Sequence, residues 1–178
     1  MLPIRAADRR NPSPSKLFII CFGGLEMMTF LFVMHGLFAI LLLGAMTHQA
    51  IALWIPARSP DTNFIGRVRA VKAASYTNAI IILFLLTFAL GAVVYPTYRI
   101  GARVFMENLR MGAAVGSFEV KEHLVSFALG LLPAYWYFWR QPLDPGHGWT
   151  RRLIVLLMTL FIWAGFLVGH VLNNIRGV

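Results

Sequence analysis

The longest apolar stretch of the chain covers residues 17–54 and reads LFIICFGGLEMMTFLFVMHGLFAILLLGAMTHQAIALW. It is interrupted mainly by Glu26, by His35 and by the polar sequence THQ near its end. An α-helix rises about 1.5 Å per residue, and about 20 residues cross the apolar part of a bilayer. The stretch is longer than one span needs, so we expect a helix that is steeply tilted or that projects beyond the membrane.

Three further apolar stretches bring the predicted membrane spans to four, at residues 17–54, 74–98, 118–139 and 152–172. Hydrophobic residues make up 58% of the 178 residues and charged residues only 13%, against about 25% charged in a soluble domain. A chain of this length has too little interior to bury so much apolar surface in water. The sequence therefore predicts an all-α, polytopic integral membrane protein with four antiparallel transmembrane helices over residues 17–178, after a flexible basic segment over residues 1–16.

Proline-containing segments mark the expected ends of these helices. The sequence PARSP at residues 56–60 is expected to stop the first helix. The sequence YPTYR at residues 95–99 is expected to end the second, because a residue before proline disfavours the helical region. The sequence QPLDPGHG at residues 141–148 predicts a turn before the last helix.

The formal net charge of +9 comes from basic residues between the apolar stretches, where they can anchor the helices at lipid headgroups. We find no nucleic-acid motif and expect no nucleic-acid partner. If the N-terminus lies inside, nine basic residues fall on the inner side and seven on the outer side. This count favours a multi-pass protein of the inner (cytoplasmic) membrane with both termini in the cytoplasm. The single cysteine, Cys21, excludes an intrachain disulfide.

Polar groups inside the first span need a partner, because they are costly in lipid. At about 100° per residue, Glu26 lies opposite His35, and His48 faces nearly the same way as Glu26. Neither side should face lipid. We therefore predict that the helix is central in its own bundle, or that other membrane subunits or a second copy cover one side while lipid contacts the rest.

Three histidines of different helices are the candidate cofactor ligands. Alternating spans place His35, His123 and His170 toward one side of the membrane. Two neutral imidazoles on facing helices can bracket a haem b, with His35 paired to His170 or to His123. The alternative is that His123 and His170 lie at the lipid headgroups.

Two pairs of small residues are compatible either with a haem site or with close helix packing. Gly165 and Gly169 directly precede His170, and Ser126 and Gly130 repeat the spacing one helix earlier. Each pair could admit a flat macrocycle, or could allow two helices to pack closely.

A quinone or proton site is the second possibility at this end, because Tyr95, Arg99, Glu122 and His123 can bind a quinone carbonyl and relay protons. The simpler alternative is an interfacial ion pair between Arg99 and either Glu119 or Glu122. The carboxylates near the start of the third span could equally stabilise that helix by its dipole.

The run MHGLFAILLLG at residues 34–44 resembles the first helix of small CopD-like and related cytochrome-b-like membrane proteins. The resemblance covers the first helix, and it implies a helical membrane bundle associated with copper handling or haem. His35 is the ligand that carries over. The methionines Met27, Met28 and Met34 near His35 suit copper(I) in type, although packing explains them as well. The identity of any metal stays open.

The sequence contains no nucleophile motif, phosphate loop or soluble catalytic domain, and we assign no catalytic residue. It indicates a non-catalytic or electron-transfer subunit rather than a stand-alone enzyme. We expect a small membrane subunit of an electron-transfer system that binds haem b or quinone. The alternatives are an accessory subunit without a cofactor and a CopD-like copper transport protein.

Overall fold

The computed structural model describes residues 14–55, 66–67, 70–140 and 142–176, with side chains from residue 26 to residue 174 of these ranges. Its ordered elements are all helices, so the prediction of an all-α protein is confirmed for the described residues. The predicted flexible segment falls mostly outside this part of the chain, as does the proline-rich stop at residues 56–60.

Helix α1 covers Pro14–Trp54 and ends at the residue where the predicted first span ends. The next helical stretch has four consecutive parts. A 3₁₀ turn at Ala73–Tyr76 leads into α2, Thr77–Tyr98, which continues through a π-helical turn at Arg99–Arg103 into the short helix α3, Val104–Asn108.

Helix α2 ends at Tyr98, within the predicted stop around Pro96, but helical structure continues beyond it. Pro96 lies inside α2, and helical structure continues for twelve residues beyond it, to Asn108. A proline removes one backbone N–H and crowds one preceding carbonyl, and the wider π turn follows directly at Arg99–Arg103. Such turns occur as local insertions in α-helices.

The helical stretch ends at Arg110, which has a positive φ of 56°. The Arg110 N–H donates to the Glu107 carbonyl at 2.9 Å, and the Met111 N–H donates to the Met106 carbonyl at 2.9 Å. These two bonds form a Schellman cap, in which the left-handed position is usually glycine.

Helix α4 covers Gly112–Trp139, and α5 covers Gly148–Arg176 after a 3₁₀ turn at Pro145–His147. Three helical stretches of the described chain are long and apolar enough to cross a membrane, namely Glu26–Trp54, Ala73–Asn108 and Pro145–Asn174. Helix α4 is not among them. It contains Glu119, Lys121 and Glu122 in its first half and Trp136, Tyr137 and Trp139 at its end.

The helices pack in the order α2, α1, α5, α4, with the most extensive contacts between α4 and α5 and between α1 and α2. The main core lies in the half of the molecule that contains the end of α1 and the start of α5. A smaller cluster of Ala102, Met106 and Leu172 lies around the start of α4. The buried residues of the main core are Leu42, Leu43, Met46, Ile80, Phe84, Ala128, Leu132, Tyr135, Trp139, Ile154, Val155, Met158 and Ile162.

A buried hydrogen-bonded pair holds α1 against α4 inside this core. The Tyr135 hydroxyl donates to Oε1 of Gln49 at 2.9 Å, and the Gln49 amide donates to the Ala73 carbonyl at 3.0 Å. Both side chains are fully buried, so each polar group has a partner where water is excluded. The pair fixes the register of α1 against α4.

Large apolar side chains cover much of the outer surface. Phe30 and Val33 on α1 and Phe127 on α4 are each more than 60% exposed. Contiguous apolar surface of this kind is unusual on a soluble monomer. Together with the three apolar helical stretches, it identifies a membrane protein whose outer surface contacts lipid.

Candidate functional site

The His35 side chain is half-buried against α2. Its Nδ1–H donates to the Thr87 carbonyl at 3.0 Å. Gly91 makes room for the ring, because a Cβ there would lie 3.1 Å from Cε1 of the imidazole. With Nδ1 used as a donor, Nε2 is the ring nitrogen that carries the lone pair.

Lys121 of α4 points toward α5 and toward His35. Its side chain packs on α5, with Cγ 4.0 Å from the Cβ position of Gly165 and Nζ 3.9 Å from that of Gly169. The ammonium lies 4.3 Å from the centroid of the Phe118 ring and interacts electrostatically with Glu122 of its own helix and with His35. Lys121 forms no hydrogen bond or ion pair with another described residue.

An aromatic cluster completes this part of the molecule. The Tyr98 ring of α2 stacks on Phe118 of α4 with centroids 3.6 Å apart, and Tyr95 lies 6.3 Å from Tyr98 and 6.4 Å from Phe118. The Tyr98 hydroxyl is buried without a hydrogen-bond partner among the described residues. We call His35, Tyr98, Phe118 and Lys121 the interior polar cluster.

The predicted ion pair of Arg99 with Glu119 or Glu122 is replaced by pairs of Arg103. The Arg103 Nε donates to Glu107 at 2.8 Å, and its Nη2 donates to Glu119 at 3.1 Å. Arg99 and Arg103 are the first and last residues of the π turn, and Arg99 is exposed. A partly exposed ion pair thus joins α4 to the π turn before α3, an interaction that is worth little individually.

The remaining predicted quinone or proton residues lie near this ion pair. Tyr95 belongs to the aromatic cluster, and Glu122 is half-buried on α4. Tyr95, Arg99 and Glu122 are not joined by any hydrogen bond or ion pair within the described part of the chain. Their role as a quinone or proton site stays a prediction.

The other two candidate haem ligands face outward. His123 is exposed on α4 and donates from Nδ1 to the Glu119 carbonyl of its own helix at 2.7 Å. His170 is exposed on α5, where its ring lies parallel to Phe166 with centroids 6.1 Å apart. Only His35 faces a neighbouring helix. A haem bracketed by two histidines of this chain stays a prediction.

The two small-residue pairs differ in what packs against them. Gly165 and Gly169 accommodate α4 closely, since a Cβ at Gly165 would lie 3.0 Å from Cγ2 of Val125, and Lys121 lies along both glycines. Gly130 is exposed, and nothing lies within 4 Å of its Cβ position. The first pair therefore serves helix packing, which was the alternative to a haem slot.

The predicted intramembrane polar residues Glu26 and His48 lie apart from the interior polar cluster. Glu26 is exposed and lines an open apolar groove on α1 with Thr29, Phe30 and Val33. His48 packs on the Tyr76 ring at 4.8 Å between centroids, and its Nδ1 is buried without a partner among the described residues. The polar groups of α1 thus occupy separate environments along the helix.

The described residues contain no group of three or more His, Cys, Asp or Glu side chains that could hold a metal ion. Met28, one of the candidate copper ligands, accepts a hydrogen bond from the Thr97 hydroxyl at 3.7 Å. Comparison of the chain with protein-family models, with curated proteins and with solved structures finds no match.

Sequence reasoning assigned no role to Lys121 or Tyr98, although both belong to the end of the bundle where it expected polar groups. The available sequence signal was Lys121 itself, a lysine near the start of the predicted span at residues 118–139 and three residues after Phe118. Interfacial anchoring explained both residues equally well, and only the packing of α4 on α5 shows that Lys121 points inward.

Proposed function

We propose that the chain is a small integral membrane subunit of an electron-transfer system. It crosses the inner (cytoplasmic) membrane four times as an antiparallel bundle, with both termini in the cytoplasm. Helix α4 is the third span in chain order and joins the three apolar stretches to make four. Its packing along α5 supports this assignment, because the ionisable Lys121 is covered by α5 rather than left to lipid.

The orientation of His35 carries the proposal. An imidazole that donates from Nδ1 to a backbone carbonyl and keeps its Nε2 lone pair is oriented as metal-binding and cofactor-binding histidines are. Gly91 and Thr87 hold the ring in place without using Nε2. A histidine with a purely structural role would make the same contacts with α2. The test must therefore detect a bound cofactor directly.

His35 is suited to a haem b as one axial ligand, and another subunit would supply the second. A bound haem contributes reversible one-electron transfer. Quinone is the other cofactor that the proposal covers, and its carbonyl oxygens would accept hydrogen bonds from polar side chains of the same end of the bundle.

The test is to purify the protein with its associated subunits in mild detergent, record a reduced-minus-oxidised spectrum and extract bound quinone. We expect a haem spectrum or a stoichiometric quinone. His35→Ala should remove the haem bands, and His147→Ala, in the loop before α5, should keep them. Gly91→Ala is a second variant, because its methyl group would displace the imidazole while Nε2 is retained.

Absence of both cofactors from the wild-type assembly, with metal analysis also negative, would overturn the proposal. The second candidate, a non-catalytic accessory subunit, would then be favoured. The observation behind that alternative is that His123 and His170 face outward and that Lys121 fills the groove at Gly165 and Gly169.

A further inference from the structure

Two hydrogen-bond donors of the interior polar cluster lack an acceptor. The Lys121 ammonium contacts the Phe118 ring and the α5 groove, and the Glu122 carboxylate of its own helix attracts it, but no described residue accepts a hydrogen bond from it. The Tyr98 hydroxyl is buried without a partner among the described residues. A buried hydroxyl without a partner carries a desolvation cost that a ligand oxygen would remove.

The two donors lie around one aromatic ring. Tyr98 stacks on Phe118 at 3.6 Å between centroids, and the Lys121 Nζ lies 4.3 Å from the same centroid. Tyr95 adds a further ring, nearly parallel to that of Phe118 at 17°. The environment therefore combines flat apolar surfaces with two donors supplied by different helices, α2 and α4.

From this arrangement we infer that the Tyr98 hydroxyl and the Lys121 ammonium bind the carbonyl oxygens of a quinone headgroup, with the aromatic cluster against its ring. The inference rests on the proposed function and names its ligand. A quinone is flat, uncharged and lipid-soluble, and it presents acceptors without donors. Those properties complement two donors and stacked rings inside a membrane bundle.

A lipid phosphate is the competing ligand for Lys121. A phosphate would pair the ammonium, but the Glu122 carboxylate already offsets that charge and would repel a second anion. The Tyr98 hydroxyl is buried rather than at an exposed headgroup position. Burial of a charge is costly unless it is fully paired. A neutral acceptor therefore fits the pair of donors better.

The test is quinone binding by the full chain in phosphatidylcholine nanodiscs. Decylubiquinone is titrated, and the saturable part of tryptophan quenching gives its dissociation constant. Tyr98→Phe keeps the ring stack and removes only the hydroxyl, and we expect about tenfold weaker binding. Lys121→Met keeps an unbranched side chain against Gly165 and Gly169 and removes the ammonium, and we expect a loss of about tenfold or more.

Matched controls use the same substitutions at exposed positions. Tyr137→Phe, at the other end of α4, and Lys72→Met, before α2, should bind decylubiquinone as the wild type does. A difference infrared spectrum with carbonyl-¹³C decylubiquinone adds a readout that altered packing would not imitate. The carbonyl band should shift in Tyr98→Phe and stay in place in Tyr137→Phe.

Equal affinities and unchanged carbonyl bands in all four variants would overturn the site and leave the electron-transfer proposal standing. A wild type that contains haem but binds no quinone would also overturn the site and leave the electron-transfer proposal standing. Displacement of decylubiquinone by phosphatidylglycerol in the nanodiscs would show that phosphate is the preferred ligand and would also overturn it. A wild type without quinone binding, haem or metal would contradict both proposals.

Discussion

At the scale of single residues, three glycines determine where the interior polar side chains lie. Gly91 gives His35 its position against α2, and Gly165 with Gly169 gives Lys121 its groove on α5. The sequence indicates that such glycines permit close packing, but it does not say which side chain uses the space. That choice depends on the rotation of each helix about its own axis.

Arg110 provides a prediction at this scale. Its positive φ of 56° disfavours a side chain with a Cβ, while glycine adopts this conformation without penalty. We expect Arg110→Gly to raise the free energy of unfolding by about 1 kcal/mol, measured by SDS titration in mixed micelles.

The matched control is Asn108→Gly, at the last residue of α3, where the backbone is helical. There glycine should lower the free energy of unfolding by about 0.4 kcal/mol, because it loses more backbone entropy than asparagine. A loss of stability in both variants would contradict the role assigned to the Arg110 conformation.

At the scale of helices, apolar length and turn residues predict the elements better than proline does. The predicted first and second spans end at Trp54 and Tyr98, where α1 and α2 end. The helical stretch nevertheless continues to Asn108, because one missing N–H at Pro96 does not stop a helix whose other bonds are kept. Local sequence alone does not contain the packing that decides this.

The loop before α5 gives a pH prediction. Asp144 accepts a hydrogen bond from the Gly146 N–H at 2.8 Å and pairs with His147 at 2.8 Å. The Gly146 N–H, and then the nearby His147 and Arg151, hold the pKa of Asp144 below its ordinary value. The resulting stabilisation is present above the unfolded pKa of about 4 and is lost as the pH falls through the lower folded value.

We therefore expect Asp144→Asn to lower the Tm by about one or two degrees at neutral pH, a small effect because the loop is exposed. The difference from wild type should disappear on acidification. Thermal unfolding in detergent from pH 7 to pH 2.5 measures it, and a difference that persists at the acidic end would rule out the carboxylate as its source.

At the scale of the whole molecule, composition predicts a membrane protein, but it does not predict whether the histidine side chains of different helices meet. Alternating spans indicate that His35, His123 and His170 belong to one end. Helix α4 nevertheless directs Lys121 toward α5, and His123, two residues later, is exposed. Residues two apart on a helix cannot share a face. Periodicity could therefore predict membrane depth, while tertiary packing decides which side chains meet.

Whether α4 crosses the membrane is the prediction at this scale. In a Cys21→Ser background, Leu109→Cys and Pro142→Cys place one thiol before and one after α4. If α4 crosses the membrane, an impermeant maleimide should label only Pro142→Cys in right-side-out vesicles and only Leu109→Cys in inverted ones. Labelling of both positions from one side would show that α4 does not span.

The buried pair of Gln49 and Tyr135 has a consequence for biogenesis. Its two members are 86 residues apart in the chain, so α1 enters the bilayer before its partner on α4 has been synthesised. Until then, Oε1 of Gln49 lacks its final donor, the Tyr135 hydroxyl, within an apolar environment, although the Ala73 carbonyl that accepts from the Gln49 amide already exists. Association of inserted helices must therefore follow insertion as a separate stage, and a nascent chain truncated before α4 should present an incomplete polar site that membrane quality control can recognise.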